Sequence, residues 1–273
     1  MYLNCKGNLI DLNQPRVMGI LNLTPDSFYD GGRYQEDKAL LHQVEKMILE
    51  GADFIDLGGY SSRPGADEVS EEEELRRVLP AVELILQNFP EVLLSIDTFR
   101  SNVARNSLEM GAAMINDITA GSGDPEMMRS IAAFNCPYIL MHMKGTPQTM
   151  QQLNAYDSLI EDLLYYFSAK LAGARKSGIK DLIVDPGFGF AKDLNQNYEL
   201  LRGLNRFQTL GVPILAGLSR KSMIYKKLNT DASGALNGTT ALHMVALEKG
   251  SSILRVHDVK EAVECVVLFE ELR

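Results

Sequence analysis

The chain contains eight short apolar segments, and each ends on a polar residue that can bind a ligand or take part in chemistry. The segments recur at intervals of roughly thirty residues and alternate with helical patterns, which is typical of an α/β protein with a (β/α)8 TIM barrel. In that fold the C-terminal ends of the strands converge on one face and form the active site. The residues at these ends are Asn22, Asp56, Asp97, Asn116 with Asp117, His142, Asp185, Ser219 to Lys221, and Arg255 with His257.

Length and composition favour a single domain. The 273 residues are close to the ~250 of one TIM barrel, and a hydrophobic fraction of 45% is ordinary for a globular protein with a large core. We expect residues 15–273 to form the barrel and residues 1–14 to form an N-terminal capping segment across its bottom. No apolar run approaches the ~20 residues of a membrane span, and the N-terminus lacks the order of a signal peptide.

Charge and cysteine content argue against several kinds of partner and location. The net charge of −9 disfavours nucleic acid and anionic membranes as partners. The three cysteines are odd in number and far apart, which favours reduced thiols and a cytoplasmic location. Against this acidic background, Arg63, Lys221 and Arg255 stand out as candidates for local anion sites.

Two connections on the predicted catalytic face are unusually long. Residues 22–34 and 58–69 each span about a dozen positions, compared with the ~2–6 usual for βα turns, and both are rich in Gly, Pro, Ser and Asp. Loops of this kind are commonly lids or substrate clamps, and a merely mobile insertion is the alternative. Asp26 in the first loop and Arg63 in the second have opposite charges, so we hypothesise an ion pair that latches a closed state.

The strand-end residues predict two kinds of binding site. Asp97, Asn116 and Asp185 suit a pterin or a guanine-like ring, because a carboxylate accepts adjacent N–H groups in bidentate fashion. Arg255 and His257, two residues apart, are expected on one strand face, directly before a predicted helix start. Cationic side chains and the free N–H groups of that helix predict a phosphate or diphosphate site.

Several positions have structural alternatives. Asp117 could be a helix N-cap, and Asn22 could simply open a turn. His142 is ambiguous between a direct role in the site and a structural one. The acidic run 70–74 predicts a capped helix N-terminus, because carboxylates there complement the helix dipole, in preference to a metal site.

Seven motifs, spread from about residue 15 to the C-terminus, resemble those of the dihydropteroate synthases and occur in the same order. They are residues 18–28 followed by 30–32, then 56–65, 95–98, 115–117, 185–190, 217–222 and 255–258. One departure lies at residues 60–62, where the family more often has Glu-Ser-Thr. Ser62 keeps a hydroxyl, whereas Tyr60 replaces a carboxylate.

The resemblance implies a transferase of folate biosynthesis. Such enzymes condense (7,8-dihydropterin-6-yl)methyl diphosphate with 4-aminobenzoate and release 7,8-dihydropteroate and diphosphate. It further implies a homodimer, a Mg²⁺ cofactor with Asn22 as a ligand, and a dissociative, S_N1-like displacement. The alternatives are a pterin-dependent methyltransferase domain, which would need neither a diphosphate site nor the two long loops, and a non-catalytic pterin-binding relative.

The motifs and residue types together assign the site. The pterin would be held by Asp97, Asn116, Asp185 and Lys221. The diphosphate would be held by Asn22, Ser62, Arg255 and His257. The aminobenzoate would lie against Phe28, Arg63, Pro64, Phe190, Lys221 and Ser222. The reaction itself is expected to depend most on Asp97, Asp185, Lys221 and Arg255.

Overall fold

The computed structural model describes residues 1–23, 33–60 and 69–273. Within these ranges an antiparallel hairpin precedes a sheet of eight strands. The strands are β1 (Tyr2–Cys5), β2 (Asn8–Asp11), β3 (Arg16–Asn22), β4 (Phe54–Gly58), β5 (Leu94–Asp97), β6 (Met114–Asp117), β7 (Tyr138–Met141), β8 (Leu182–Asp185), β9 (Leu215–Ala216) and β10 (Ile253–Val256).

Strands β3 to β10 form a parallel sheet in the order β8, β7, β6, β5, β4, β3, β10, β9. A parallel bridge between Val184 in β8 and Ile214, directly before β9, joins the two ends of this sheet. Every residue of β5, β6, β7 and β8 is buried, as expected where barrel side chains cover one face and helices cover the other. The predicted TIM barrel is therefore confirmed.

Helices follow the barrel strands and form its outer layer. In the described part of the chain they are α1 (Arg33–Leu49), α2 (Glu71–Asn88), α3 (Ser101–Glu109), α4 (Met127–Phe134), α5 (Leu159–Lys176), α6 (Leu194–Arg202), α7 (Ser222–Tyr225), α8 (Leu236–Glu248) and α9 (Val259–Glu270). Short 3₁₀ segments lie at Met150–Gln152, Leu204–Leu210 and Ser233–Ala235. Across these ranges we find no helix with the length and apolar character that a membrane span requires.

Helix α2 shows how the sequence specifies these elements. Ser70 is its N-cap, and the Ser70 hydroxyl accepts a hydrogen bond from the backbone N–H of Glu73 at 3.2 Å. Four glutamates in the first turn complement the positive end of the helix dipole. Val78, Val82 and Ile85, at spacings of four and three residues, form its buried face. The capped helix start predicted from the acidic run is confirmed.

The N-terminal hairpin packs against the bottom of the barrel. Leu3 and Cys5 of β1 belong to one buried apolar cluster with Met18 of β3, Phe54 at the start of β4 and Met114 at the start of β6. A fully buried leucine contributes about 1.5–3 kcal/mol through the removal of apolar surface from water. The hairpin therefore covers strand beginnings that would otherwise expose large apolar side chains.

The three cysteines, Cys5, Cys136 and Cys265, are buried and form no disulfide. Burial raises the pKa of the Cys5 thiol and of the Cys136 thiol to about 12. Both thiols are therefore neutral at physiological pH, and they pack as small apolar groups.

Candidate active site

Four strands bring buried acids and an amide together at the C-terminal face of the barrel. Asp56 lies in β4, Asp97 ends β5, Asn116 lies in β6 and Asp185 ends β8. The parallel register pairs Asp97 with Asn116, so these two side chains start from neighbouring positions. All four residues are buried. Buried acids carry a large desolvation cost unless they are paired, so their partners decide the chemistry of this face.

Arg255, in β10, is the main cation of this cluster. Its Nε donates to Asp56 Oδ2 at 2.6 Å, and its Nη2 donates to Asp97 Oδ2 at 2.9 Å. Asn116 Nδ2 donates to the same Asp56 oxygen at 3.0 Å. Burial lowers the pKa of the Arg255 guanidinium, but the charges of Asp56 and Asp97 outweigh it and hold that pKa above its usual range. Arg255 thus stays charged and holds two carboxylates from different strands.

Asp97 has a second donor on its other oxygen. The Tyr60 hydroxyl donates to Asp97 Oδ1 at 2.9 Å. Burial raises the pKa of the Asp97 carboxyl to about 7, Arg255 opposes the shift, and the nearby Asp56 adds to it. A carboxyl group that titrates near neutral pH in a cleft is typical of a functional site.

Asp185 and Lys221 form the second part of the cluster. Asp185 Oδ1 accepts the backbone N–H of Gly187 at 2.8 Å, and Lys221 donates to the Phe188 carbonyl. A Cβ atom at Gly217 would lie 3.7 Å from Asp185 Oδ2 and 3.9 Å from Lys221 Nζ, so the glycine keeps the space between them open. Burial lowers the pKa of Lys221 to about 8, and Asp185 opposes that shift. Burial likewise raises the pKa of Asp185, and Lys221 opposes the rise.

Lys221 also faces an aromatic ring. Its Nζ lies 4.7 Å from the centroid of the Phe190 ring, within the range of a cation–π contact. Phe190 in turn packs against a small apolar cluster formed by Tyr60, Ile118 and Met141. The structure therefore brings Phe190, an expected aminobenzoate contact, beside the expected pterin lysine.

A buried lysine, Lys192, fixes the loop that follows β8. Lys192, 4% exposed, donates to the carbonyls of Gly187 and Phe190 at 3.0 Å each, and its Nζ lies 3.2 Å from His142 Nδ1. Gly187 has φ +73°, and a Cβ there would lie 2.2 Å from the His142 carbonyl oxygen, so only glycine fits this turn. Burial lowers the pKa of His142 to about 2 and that of Lys192 to about 7. His142 is thus a neutral partner of Lys192, which favours the structural alternative for this residue.

The expected diphosphate side lies around β10 and the start of α9. His257 Nδ1 lies 3.1 Å from Ser219 Oγ, and the His257 backbone N–H donates to the same oxygen at 3.2 Å. Asp258 is paired with Arg220 through two hydrogen bonds of 2.7 and 2.8 Å. Ser222 is the first residue of α7. Arg255 and His257 therefore contact different partners: one joins the carboxylates and the other joins the loop after β9.

Asn22 ends β3 beside Asp97. A Cβ atom at Gly58 would lie 3.7 Å from Asn22 Oδ1 and 3.5 Å from Asp97 Cβ, so this glycine leaves room between the two side chains. Five other expected residues lie outside the described part of the chain. They are Asp26 and Phe28 of the first long loop and Ser62, Arg63 and Pro64 of the second, so the proposed latch between Asp26 and Arg63 lies there too.

The N-cap alternative for Asp117 is wrong. The next helix, α4, begins at Met127, with Glu126 at its N-cap position. Asp117 instead accepts hydrogen bonds from the backbone N–H groups of Thr119 and Gly121, at 2.7 Å each, and from the Tyr138 hydroxyl at 2.6 Å. Asp117 therefore fixes the turn that follows β6, and it also joins this turn to β7, the strand that contains Tyr138.

Three residues of the site have no role assigned from the sequence. Asp56 lies near a strand end like the other acids of the site, and that position alone indicates a role at this face of the barrel. Tyr60 stands out in the sequence only as a departure from the family pattern. The sequence gives no indication of a role for Lys192, because a lysine two residues after a loop motif is usually solvent-exposed.

A cavity of about 530 Å³ opens beside this cluster. Its lining includes Tyr60, Val69, Phe99, Ile118, Met143 and Tyr166. Tyr60 belongs both to the lining of this cavity and to the partners of Asp97, so its side chain lies between the cavity and the buried carboxylates.

Known proteins match this arrangement over the whole barrel. The family model described as pterin binding enzyme matches residues 18–257. The dihydropteroate synthase of Escherichia coli (strain K12) is 46% identical over 272 residues, which are 99% of this chain and 96% of the relative. The dihydropteroate synthase of Streptococcus pyogenes serotype M1 is 41% identical, and the match covers 97% of this chain and 98% of the relative.

Solved structures of dihydropteroate synthases have a closely similar fold. The Yersinia pestis dihydropteroate synthase in complex with a sulfonamide drug superposes with a TM-score of 0.93 at 43% identity, and the match covers 100% of this chain and 99% of that one. The Xanthomonas albilineans dihydropteroate synthase with 7,8-dihydropteroate gives a TM-score of 0.89 at 36% identity, over 100% of this chain and 98% of that one. The chain therefore belongs to the pterin binding enzymes and, within that family, to the dihydropteroate synthases, which are transferases.

Proposed function

We propose that this chain condenses (7,8-dihydropterin-6-yl)methyl diphosphate with 4-aminobenzoate to give 7,8-dihydropteroate and diphosphate. The observation that carries the proposal is the buried set of acceptors and cations at the C-terminal face. Asn116 Oδ1, for example, is buried and makes no hydrogen bond to any described residue. A buried acceptor without a protein partner suits a ligand N–H group. Relatives in solved structures bind 4-aminobenzoic acid and 7,8-dihydropteroate.

The pterin ring would lie between two acids and an amide. Asp97 and Asp185 would accept its ring and amino N–H groups, and Asn116 would accept a further one. Lys221 would donate to an acceptor of the ring, and the bare backbone at Gly217 leaves room beside Asp185 and Lys221. Charge-assisted bonds of this kind are about twice as strong as neutral ones.

The diphosphate would be held by Asn22, Ser62, Arg255 and His257. Arg255 already uses Nε and Nη2 for carboxylates, and a guanidinium has five N–H donors in all, so donors remain for a phosphate oxygen. His257 lies next to Asp258, the N-cap residue of α9, and the first N–H groups of this helix add positive potential. Arg255 would thus join the pterin part of the site to its diphosphate part.

The residues also fit a Mg²⁺ ion that arrives with the diphosphate. Asn22 offers an amide oxygen beside the open backbone of Gly58, and Mg²⁺ commonly takes one or two protein oxygens together with substrate phosphates. Among the described residues we find no group of three or more His, Cys, Asp and Glu side chains that could hold a metal ion. When bound, the ion would neutralise charge on the departing diphosphate.

We infer a dissociative, S_N1-like displacement. The bond between the exocyclic CH₂ and the diphosphate oxygen breaks first, and its electron pair leaves with the diphosphate. Asp97 and Asp185 would stabilise the cation that remains on the electron-rich dihydropterin, and Arg255 would stabilise the leaving group. The amine lone pair of 4-aminobenzoate then forms the C–N bond, and the amine loses a proton to solvent.

The aminobenzoate would lie on the outer side of the pterin. Phe190 with Lys221 over its ring offers an apolar wall and a cation, and Ser222 offers the first N–H of α7. Phe28, Arg63 and Pro64 of the two long loops would complete this slot. The aromatic ring would then be held between apolar surfaces, and its carboxylate would meet donors.

The organisation of the protein in the cell is also a proposal. We infer residues 1–14 to be a capping segment, residues 15–273 to be the catalytic barrel, and the protein to be a cytoplasmic homodimer. The buried free thiols suit a reducing compartment. Val267 and Leu268 of α9 are 58% and 61% exposed, which suits a helix face that another copy covers.

A coupled diphosphate-release assay tests the proposal. Release should require both the dihydropterin diphosphate and 4-aminobenzoate, with one diphosphate formed for each dihydropteroate. Release that is independent of 4-aminobenzoate would contradict the condensation. Pterin binding without any release would favour the non-catalytic relative, whereas transfer of a methyl group would favour the methyltransferase.

A further inference from the structure

Tyr60 connects the apolar wall of the cavity to the buried carboxylates. Its ring packs edge to face on Phe99, with 5.3 Å between ring centroids and 85° between the ring planes. The residue is 8% exposed, and its hydroxyl donates to Asp97 Oδ1 at 2.9 Å. A buried tyrosine with a packed ring and a hydrogen-bonded hydroxyl is fixed at both ends.

The hydroxyl completes the support of the Asp97 carboxylate. The last torsion of an aspartate is broad and roughly two-fold, so the position of Asp97 on β5 does not by itself fix the plane of its carboxylate. Tyr60 donates to Oδ1 and Arg255 donates to Oδ2 at 2.9 Å, so each oxygen is held by one donor. A carboxylate oxygen can accept two hydrogen bonds, which leaves Asp97 able to accept from a ligand as well.

Arg255 cannot provide this support alone. It is shared with Asp56, to which its Nε donates at 2.6 Å. Asp56 and Glu74 are buried near Asp97. Asp56 is paired with this same Arg255, and Glu74 is paired with Arg100, so neither acid leaves a cation free for Asp97 Oδ1. Loss of the Tyr60 hydroxyl would remove the donor that now holds Asp97 Oδ1, and the carboxylate would be free to turn about its last torsion.

We propose that Tyr60 is a positioning residue, which fixes the Asp97 carboxylate in the plane that accepts the pterin ring. This inference rests on the proposed function, because it takes the pterin to be the ligand of Asp97. It assigns a role to the position at which the second motif departs from the family pattern. The phenol reaches Asp97 with a neutral donor, so it supports the carboxylate without adding a further charge to the cluster.

The test is the Tyr60→Phe variant, which removes the hydroxyl and keeps the ring on Phe99. Two ligands are titrated separately by calorimetry: a 6-hydroxymethyl dihydropterin that lacks the diphosphate, and magnesium diphosphate. The pterin affinity should fall about tenfold, as expected for the loss of one hydrogen bond to a charged group, whereas the diphosphate affinity should change less than about twofold. A general structural defect would weaken both ligands alike.

Tyr166→Phe is the matched control. Tyr166 lines the same cavity, but its hydroxyl donates to the Met141 carbonyl at 3.3 Å and not to Asp97, so both affinities should match those of the unmodified protein. Unchanged pterin affinity in Tyr60→Phe, or equal loss of both ligands, overturns the inference while the proposed function stands. If the unmodified protein binds no pterin, the proposed function fails, and the positioning role of Tyr60 fails with it.

Discussion

The two ends of the barrel are built from the same strands but from opposite chemistry. At the bottom, strand beginnings such as Phe54 and Met114 pack with Leu3 of the hairpin in a wholly apolar cluster. At the top, the same β4 reaches Asp56, and β5 ends on Asp97, both buried and both tied to Arg255. Apolar packing needs only volume and contact, whereas buried charges need partners at defined positions. The bottom therefore stabilises the fold, and the top uses part of that stability to hold a reactive arrangement.

Arg255→Ala should lower both the stability of the protein and ligand binding at the top of the barrel, because Arg255 contributes to both. Two buried carboxylates would lose their cation, and the free energy of unfolding should fall by about 4 kcal/mol. Diphosphate affinity should fall more than pterin affinity, and kcat should fall more than either. Chemical denaturation and calorimetry measure these effects.

Arg273→Ala is the control for that variant. Arg273 pairs with Glu270 at 3.0 Å and donates to the Asn13 carbonyl at 2.7 Å, both on the surface, and exposed contacts of this kind contribute about 1 kcal/mol or less. Equal and small losses of stability in the two variants would show that the top of the barrel does not depend on Arg255.

Leu3→Ala should change the bottom alone. The side chain is 1% exposed, and removal of a buried leucine leaves a cavity that costs about 3 kcal/mol in unfolding free energy. The kcat of the folded protein should stay unchanged, because the hairpin contacts strand beginnings. Leu9→Ala, on the same hairpin but 71% exposed, should change stability by less than about 0.5 kcal/mol. A marked loss of kcat in Leu3→Ala would mean that the two ends are coupled.

Asp185→Asn should change the top alone. An amide in place of the carboxylate turns a donor toward the pterin N–H groups, so pterin affinity should fall by about 2 kcal/mol or more. Stability should stay the same or rise, because burial raises the pKa of Asp185 and the neutral amide removes that desolvation cost. Asp181→Asn, directly before the same strand, is the control and should leave pterin affinity unchanged. Unchanged pterin affinity in Asp185→Asn would remove Asp185 from the pterin site.

Lys192→Met should change how stability depends on pH. Burial lowers the pKa of Lys192 from 10.5 to about 7, so between these values the unfolded chain binds a proton that the native protein does not. The stability of the unmodified protein relative to Lys192→Met should therefore rise with pH, by about 1 kcal/mol per unit from pH 7 to 10. Lys260→Met, at an exposed position, should show no such slope. If stability depended on pH in the same way in Lys192→Met and the unmodified protein, burial would not lower the pKa of Lys192.

The sequence by itself determined what depends on neighbours along the chain. The alternation of apolar strands with helical patterns predicted the barrel, and the polar residue at each strand end predicted which face binds ligands. The helix start at Ser70 could also be predicted from the sequence, because an N-cap contact spans only three residues. Asp97, Asn116 and Asp185 could be assigned to this face from the sequence, because each directly follows a short apolar run.

The tertiary structure alone decided which of these residues meet. Arg255 lies 199 residues from Asp56 and 158 from Asp97, and Lys192 lies 50 from His142. Such pairs depend on the register of parallel strands and on the closure of the sheet, which no local pattern encodes. The cap alternative for Asp117 is wrong because the next helix begins only at Met127, and Asp117 accepts from the turn after β6 and from Tyr138 of the next strand. A local pattern determines that a side chain reaches the top of the barrel, and the packing of distant strands determines its partner and therefore its charge state.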